Sequence, residues 1–265
     1  MKILLVGYGK MGKLLEARLL ERGHTLSCVV DPVVYNAKPA NGSSFSGAKI
    51  FASIKDALPA LAGGGMAIEF TKPDTAPANI ILLAEQKIPV VCGTTGWYDK
   101  LPEIGAAVEK AGSALLWSSN FSLGVNLFYR IAEYAARLMD NYPEYDAGGF
   151  EVHHNKKADS PSGTAKILAE KVLARLRRKS RIVYDKLDRP PAGDELHFAS
   201  LRVGAAPGIH SLVFDSDADS IEITHTARNR EGLASGAISA AEWLCAKKRT
   251  GVFTIDDALE DMLKE

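Results

Sequence analysis

Cysteine is scarce in this 265-residue chain: Cys28, Cys92 and Cys245 are three in number and far apart. An odd, scattered set excludes a disulfide framework and a CxxC metal pair, and it fits a reducing compartment. Net charge is lacking too, because 32 Lys and Arg are matched by 32 Asp and Glu. Such a balance gives no pull toward nucleic acid or an anionic membrane surface. No apolar run approaches the ~20 residues of a membrane-crossing helix. The opening MKILLVGYGKMG has too short an apolar stretch for a signal peptide and runs straight into glycines. Internal repeats and low-complexity segments are also missing. The chain therefore reads as soluble and cytoplasmic, long enough for one large or two modest domains.

The positive signals begin at the N-terminus. Lys2 to Gly7 is a short apolar run, as expected of a buried parallel strand. Gly7-Tyr8-Gly9-Lys10-Met11-Gly12 follows at once, and a helical pattern then runs to Gly23. This is GxGxxG between a strand and a helix, where glycines permit a tight turn and close approach of backbone to a pyrophosphate. A second strand, Thr25 to Val30, ends in Asp31, an acidic residue at the spacing that serves an adenosine ribose. Helical and strand patterns alternate onward to Trp117, which implies a Rossmann-type parallel sheet with right-handed crossovers. Ligands of such sheets bind beyond the carboxyl ends of the strands. Besides the glycine turn, those ends carry Phe70-Thr71-Lys72-Pro73, Gly93-Thr94-Thr95-Gly96 and Ser119-Asn120-Phe121-Ser122. Each of these three also suits plain loop chemistry. Asn41 to Gly47 reads as a surface loop and nothing more.

After Ser122 the pattern changes. Leu123 to Met139 predicts a long helix with an apolar stripe at Val125, Leu127, Phe128, Ile131, Ala135 and Leu138. Strands are predicted at Gly149–Asn155, His197–Val203, His210–Phe214 and Ser220–Thr226, forming a mostly antiparallel sheet in a smaller α+β domain. The basic run RLRRKSR, Arg175 to Arg181, closes a predicted helix and reads as a solvated face. Helices from Gly232 to Lys248 and from Ile255 to Lys264 are expected to return to the first domain. The expected division is residues 1–121 with 231–265 for dinucleotide binding, and 122–230 for substrate and oligomerisation.

The most informative stretch is Glu151 to Ala165, EVHHNKKADSPSGTA. A helix starting at Ser162-Gly163-Thr164 exposes unpaired N–H groups at the positive end of its dipole, a ready carboxylate site. Lys157 adds a mobile cation, and a histidine suits proton transfer near neutral pH. If the preceding segment is extended, His153 and Lys157 share a parity that His154 does not. His153 is therefore the expected proton donor. The same residues also suit an ordinary helix start with Ser162 as N-cap. Adjacent histidines diverge on a strand and no carboxylate or cysteine set completes a shell, so no metal is expected.

HHNKKADSPSGTA, together with FTKP at Phe70, GTTGW at Gly93, SNFSLGVN at Ser119, Arg202…Gly208…His210 and HTARNREGLASGA from His225, resembles the dihydrodipicolinate reductase family. These are pyridine-nucleotide enzymes of lysine and diaminopimelate biosynthesis. The resemblance covers nearly the whole chain. It implies that His153 is the general acid and Lys157 its partner. His154, Ser162, Gly163 and Thr164 would lie at the substrate. Gly7, Tyr8, Gly9, Lys10, Met11, Gly12, Asp31, Phe70, Thr71, Gly93, Thr94, Thr95, Ser119, Asn120, Phe121 and Arg230 would lie near the cofactor. It also implies a homotetramer built through the second sheet. Two features depart from many members: the glycine loop is short, and no basic residue follows Asp31 directly, Lys38 being the first nearby cation. A lone Asp repels a 2′-phosphate, so NADH or dual NADH/NADPH use is expected. The alternatives are another two-domain dehydrogenase of amino-acid metabolism, of aspartate or homoserine type, and a non-catalytic dinucleotide sensor.

Overall fold

The computed structural model describes residues 1–37, 44–61, 64–184 and 186–262. Lys38 and residues 41–43 of the anticipated surface loop lie outside the described residues, as does the end of the last predicted helix. The chain forms two compact units, Met1–Ser122 with Glu231–Glu265, and Leu123–Arg230.

In the first unit the elements run β1 (Lys2–Val6), α1 (Lys10–Glu21), β2 (Thr25–Val30), α2 (Pro32–Asn36), β3 (Lys49–Phe51), α3 (Ile54–Ala57), β4 (Met66–Glu69), α4 (Ala76–Glu85), β5 (Val90–Cys92), α5 (Leu101–Ala111) and β6 (Ala114–Trp117). The second unit contributes α6 (Leu123–Met139), β7 (Asp146–His153), α7 (Gly163–Leu173), β8 (Arg181–Val183), β9 (Glu195–Arg202), β10 (Ile209–Asp215) and β11 (Ser220–Thr226). The chain then returns to the first unit with α8 (Glu231–Ala246), β12 (Gly251–Thr254) and α9 (Ile255–Met262).

The first sheet is parallel throughout, in the order β12-β6-β5-β4-β1-β2-β3. Side chains alternate across it, so Ile3 and Leu5 enter one core with α1, α8 and α9. Leu4 and Val6 enter another with α3, α4 and α5. Burial of each such aliphatic side chain contributes roughly 1.5–3 kcal/mol. α8 is also tied to α1 by polar contacts: Arg18 pairs with Glu231 at 2.7 Å and Arg22 donates to Ser239 Oγ at 3.0 Å. Sequence periodicity did not anticipate β3, β8 and β12, each only 3 or 4 residues long. Runs that short carry no distinguishing period.

The second sheet, ordered β11-β10-β7-β9-β8, is mixed rather than mostly antiparallel. β10 pairs antiparallel with β11 and β7, while β9 pairs parallel with β7 and β8. The reason is the crossover through α7 and the long turn before β9, each of which brings the chain back in its original direction. One face of this sheet packs against α6 and α7 through Phe128, Ala132, Leu168, Phe198, Leu212 and Phe214. The buried side of α6 differs from the predicted stripe. Val125 and Phe128 are buried with Tyr129, Ala132 and Ala136, whereas Leu127, Ile131 and Leu138 are exposed. A helix apolar on nearly every side has no unique face until its neighbours are placed. The basic run is likewise not a plain solvated face. Lys179 is buried against Asp146 at 2.5 Å, and Arg178 donates to Tyr142 O at 2.8 Å, past the end of α6 rather than α7.

Candidate active site

Within the first unit, the loops after β1, β4 and β5 enclose a cavity of about 330 Å³. Gly9, Lys10, Met11 and Gly12 form one wall; Phe70, Thr71 and Pro73 form the second, and Gly93, Thr94 and Thr95 the third. The glycine turn is as tight as its sequence requires. Gly7 has φ of 95°, and a Cβ on Gly12 would stand 2.3 Å from the Gly7 carbonyl oxygen. No other residue fits at position 12 without moving the backbone.

Two buried carboxyl groups behind these loops escaped the sequence reading. Glu69, at the end of β4, is fully buried and accepts from the hydroxyls of Thr71 and Thr94, the latter at 2.6 Å. The Thr94 hydroxyl oxygen in turn accepts from the Thr71 N–H at 2.7 Å, locking the β4 loop to the β5 loop. Glu16, on α1, accepts from Tyr8 Oη, from Ser44 Oγ at 2.7 Å and from Ser46 N–H at 2.7 Å. Burial pulls its pKa upward, but Ser44, Ser46 and Tyr8 overcome that and hold it below the ordinary glutamate value. Residues 44–46 are thus latched to the glycine turn and are more than a surface loop. A charged side chain inside an amphipathic helix pattern was the available signal for Glu16. The acidic residue closing an apolar strand was the signal for Glu69.

Other expected cofactor residues are placed differently. Asp31 caps α2, accepting from Val33 and Val34 N–H, both at 3.0 Å, and from Tyr8 N–H at 2.8 Å. The Tyr8 ring is buried, its hydroxyl bonds Glu16, and it is not among the residues lining the cavity. Phe121 is 2% exposed and packs 6.2 Å from the Phe70 ring as core, Asn120 Oδ1 accepts from Ser122 N–H, and Ser119 is exposed. Arg230 is an exposed residue at the end of the second unit.

In the second unit, β7 delivers Glu151 and His153 to the same face, as strand alternation requires. Glu151 is fully buried. Its Oε1 accepts from Arg202 Nη2 at 2.7 Å and from Ser162 N–H at 3.0 Å, and its Oε2 touches His153 Nδ1. That last contact is an ion-pair approach out of line for a full hydrogen bond. Burial alone would raise the Glu151 pKa, yet Arg202 and the Ser162 amide more than offset it and leave it below the usual value. His153 is pushed below the ordinary histidine range, first by burial and then by Lys157, with Glu151 pulling the other way. His210 lies 5.1 Å from it, ring to ring, and its pKa is pushed down to about 4 by burial. The ligand atoms of Glu151, His153 and His210 fall within 4.8 Å of one another. Arg202 and Lys157 place positive charge beside them, so the cluster reads as a hydrogen-bonded network rather than a cation site.

The predicted substrate residues separate into two kinds. Gly163 and Thr164 open α7, where first-turn amides have no partner within the helix, and nothing stands within 4 Å of a Cβ on Gly163. Ser162, by contrast, is buried and fully engaged. Its N–H goes to Glu151, its hydroxyl accepts from Ala165 N–H at 3.1 Å and meets His210 Nε2 at 3.2 Å. It builds the turn. Lys157 is not an idle cation either, since its Nζ pairs with Asp159 at 2.6 Å. A half-exposed pair of that kind is worth under about 1 kcal/mol. His154 is half-buried beside this loop.

Family models for the N-terminus and C-terminus of dihydrodipicolinate reductase match residues 1–121 and 124–259. The chain belongs to the dihydrodipicolinate reductase family. Among curated members of the family, it is 36% identical to 4-hydroxy-tetrahydrodipicolinate reductase of Christiangramia forsetii, with 100% of both chains covered. It is 35% identical to the Archaeoglobus fulgidus enzyme of the same name, over 95% of this chain and 96% of that one. The fold matches that of dipicolinate-bound dihydrodipicolinate reductase from Paenisporosarcina sp. TG-14, with a TM-score of 0.77 at 18% identity, covering 96% of this chain and 97% of the other. Amine dehydrogenase from Mycobacterium smegmatis shares the fold at TM-score 0.62 and 13% identity, with 97% and 95% covered. Family membership sets aside the aspartate- and homoserine-type alternatives that fold alone leaves open.

Proposed function

We propose that this chain reduces 4-hydroxy-tetrahydrodipicolinate, the compound in its relatives' name, in lysine and diaminopimelate biosynthesis, with hydride from NADH or NADPH. The observation that carries the proposal is the second unit's arrangement of His153, the Glu151–Arg202 pair and the start of α7 at Gly163 and Thr164. The α7 start and Lys157 hold the substrate carboxylates and fix the ring, a positioning effect. The cavity behind Gly9–Gly12, Thr71 and Thr94 suits a dinucleotide, the glycine turn and α1 taking the pyrophosphate. When bound, the reduced nicotinamide supplies a hydride. Loss of the 4-hydroxyl group as water leaves the conjugated dihydrodipicolinate ring of the family's name. Hydride addition to that ring develops negative charge on it, and His153 supplies the proton that neutralises it.

On the cofactor side, Asp31 carries a negative charge where a 2′-phosphate would sit, while its three N–H partners temper that charge. NADH is therefore used at least as well as NADPH. Lys10, exposed on the cavity rim, is the described cation placed to admit a phosphate.

For assembly, Phe150 at 37%, Leu201 at 55% and Val203 at 50% exposed leave the sheet face opposite α6 and α7 open and apolar. A patch of this kind marks an interface, and a homotetramer through that face is the state we propose, checked by sedimentation. Among the described residues no helix is long and apolar enough to cross a membrane, and all three cysteines are free. Both fit a cytoplasmic enzyme.

The deciding assay follows NADH and NADPH absorbance while substrate is generated in situ from pyruvate and aspartate semialdehyde. Oxidation that depends on both precursors supports the reading, with kcat/KM for NADH no lower than for NADPH. Tight cofactor binding without oxidation would revive the sensor alternative.

A further inference from the structure

The two nitrogens of the His153 ring have different surroundings. Nδ1 meets Glu151 Oε2, and that carboxylate cannot swing away, because Arg202 and the Ser162 amide hold its other oxygen. Nε2 faces Gly208. With φ of 140°, Gly208 lies where a Cβ would come within 3.0 Å of Nε2, so the absent side chain is what leaves room beside that nitrogen. The charged and titratable groups around the ring are Glu151 on its own strand, Lys157 on the following turn, Arg202 on β9 and His210 on β10. Glu151 is the anion among them. The Ser162 N–H bond also makes the same carboxylate a strut of the turn that opens α7.

We propose that Glu151 is the positioning residue for His153: it keeps Nδ1 protonated against its carboxylate, so that Nε2, left open by Gly208, is the nitrogen that delivers the proton. The inference rests on the reductase reading given above. During turnover the C4–H bond of the reduced nicotinamide breaks with its electron pair, which forms a C–H bond on the ring. The Nε2–H bond breaks and its proton forms the second new bond, at the ring atom where negative charge develops. The nicotinamide leaves oxidised, the imidazole is left neutral with its proton on Nδ1, and solvent returns a proton to Nε2. Ligand binding would straighten the Nδ1 contact, since such bonds are often poorly aligned before ligands arrive. A purely structural Glu151, there only to satisfy Arg202 and Ser162, would not fix which ring nitrogen of His153 carries the proton.

Two measurements separate these roles. The first is ¹⁵N NMR of the histidine-labelled, NADH-bound protein, with His153→Gln used for assignment, at a pH where the ring is neutral. An Nδ1–H tautomer at His153 supports the proposal, and an Nε2–H tautomer overturns it. The second is kcat/KM against pH for the parent chain and Glu151→Gln. Loss of the anion should move the alkaline limb to lower pH by roughly one unit and lower kcat by about tenfold, with KM for NADH within about twofold. An unmoved limb overturns the proposal. If Glu151→Gln does not fold, the tautomer alone decides. If the parent chain shows no reduction at all, the reductase reading fails, while the NMR result still reports whether Glu151 orients the ring.

Discussion

Glu69 and Glu151 are both fully buried near the ends of their strands, yet their surroundings are opposite in kind. Among the described residues, the hydrogen-bond partners of Glu69 are neutral: the hydroxyls of Thr71 and Thr94, the Cys92 thiol and the Asn79 amide. Glu151 meets an arginine, an imidazole and a backbone amide. The first arrangement fixes loop shape by hydrogen bonds alone, which is what a pre-formed cofactor cradle needs. The second places fixed charge beside a titrating group, where each pKa unit corresponds to about 1.4 kcal/mol. On the proposed reading, one unit holds the cofactor and the other moves a proton.

The largest effect that tests this contrast is at His153. His153→Gln should lower kcat by about 10²-fold or more with little change in KM, since general acid catalysis contributes 10²–10⁴-fold. Lys157→Ala should harm both constants. A His153→Gln enzyme with near-normal kcat would remove His153 from the proton-transfer role. Glu69→Gln should show the opposite pattern: KM for NADH rises about tenfold, equivalent to one lost buried hydrogen bond, and kcat stays within a few-fold. If Glu69→Gln instead shifts the pH profile, the division between the units breaks.

The pH dependence sharpens the comparison further. In its proposed role His153 acts protonated, so kcat/KM should fall as pH rises through its pKa. Because burial and Lys157 depress that pKa, the fall should begin below the ordinary histidine value of 6.5. His210, near 4, stays neutral above about pH 5 and adds no limb of its own in that range. A rate limb above pH 7 would contradict the assignment. The smallest expected effect is Ser44→Ala, which removes one of the donors to Glu16 and should cost about 1 kcal/mol in a urea melt. A cost near zero would mean that residues 44–46 are not latched to the glycine turn.

Much of the fold was legible because its signals are local. GxGxxG between Val6 and α1 needs no distant partner to be recognised, and neither does the long helix from Leu123. The Ser162 cap was legible in the same way: its hydroxyl accepts from Ala165 N–H at the start of α7. The parallel pairing of β9 was not legible, because strand direction is set by crossovers and not by the residues of the strand. The outer face of α6 was misassigned because Leu127 and Ile131 are as apolar as the residues that α7 and the sheet cover.

What the amino-acid order determined by itself was the repertoire of chemistry: a glycine turn, an acidic strand end at Asp31, a histidine pair and an amide-rich helix start. Each depends on neighbours within a few residues, where backbone geometry fixes the distances. Tertiary structure alone decided which buried carboxyl serves which loop. Arg202 and His210 reach Glu151 and Ser162 from strands some 50 residues away. Their effect on His153 follows from burial and charge at a few ångströms, and no pattern along the chain encodes that separation.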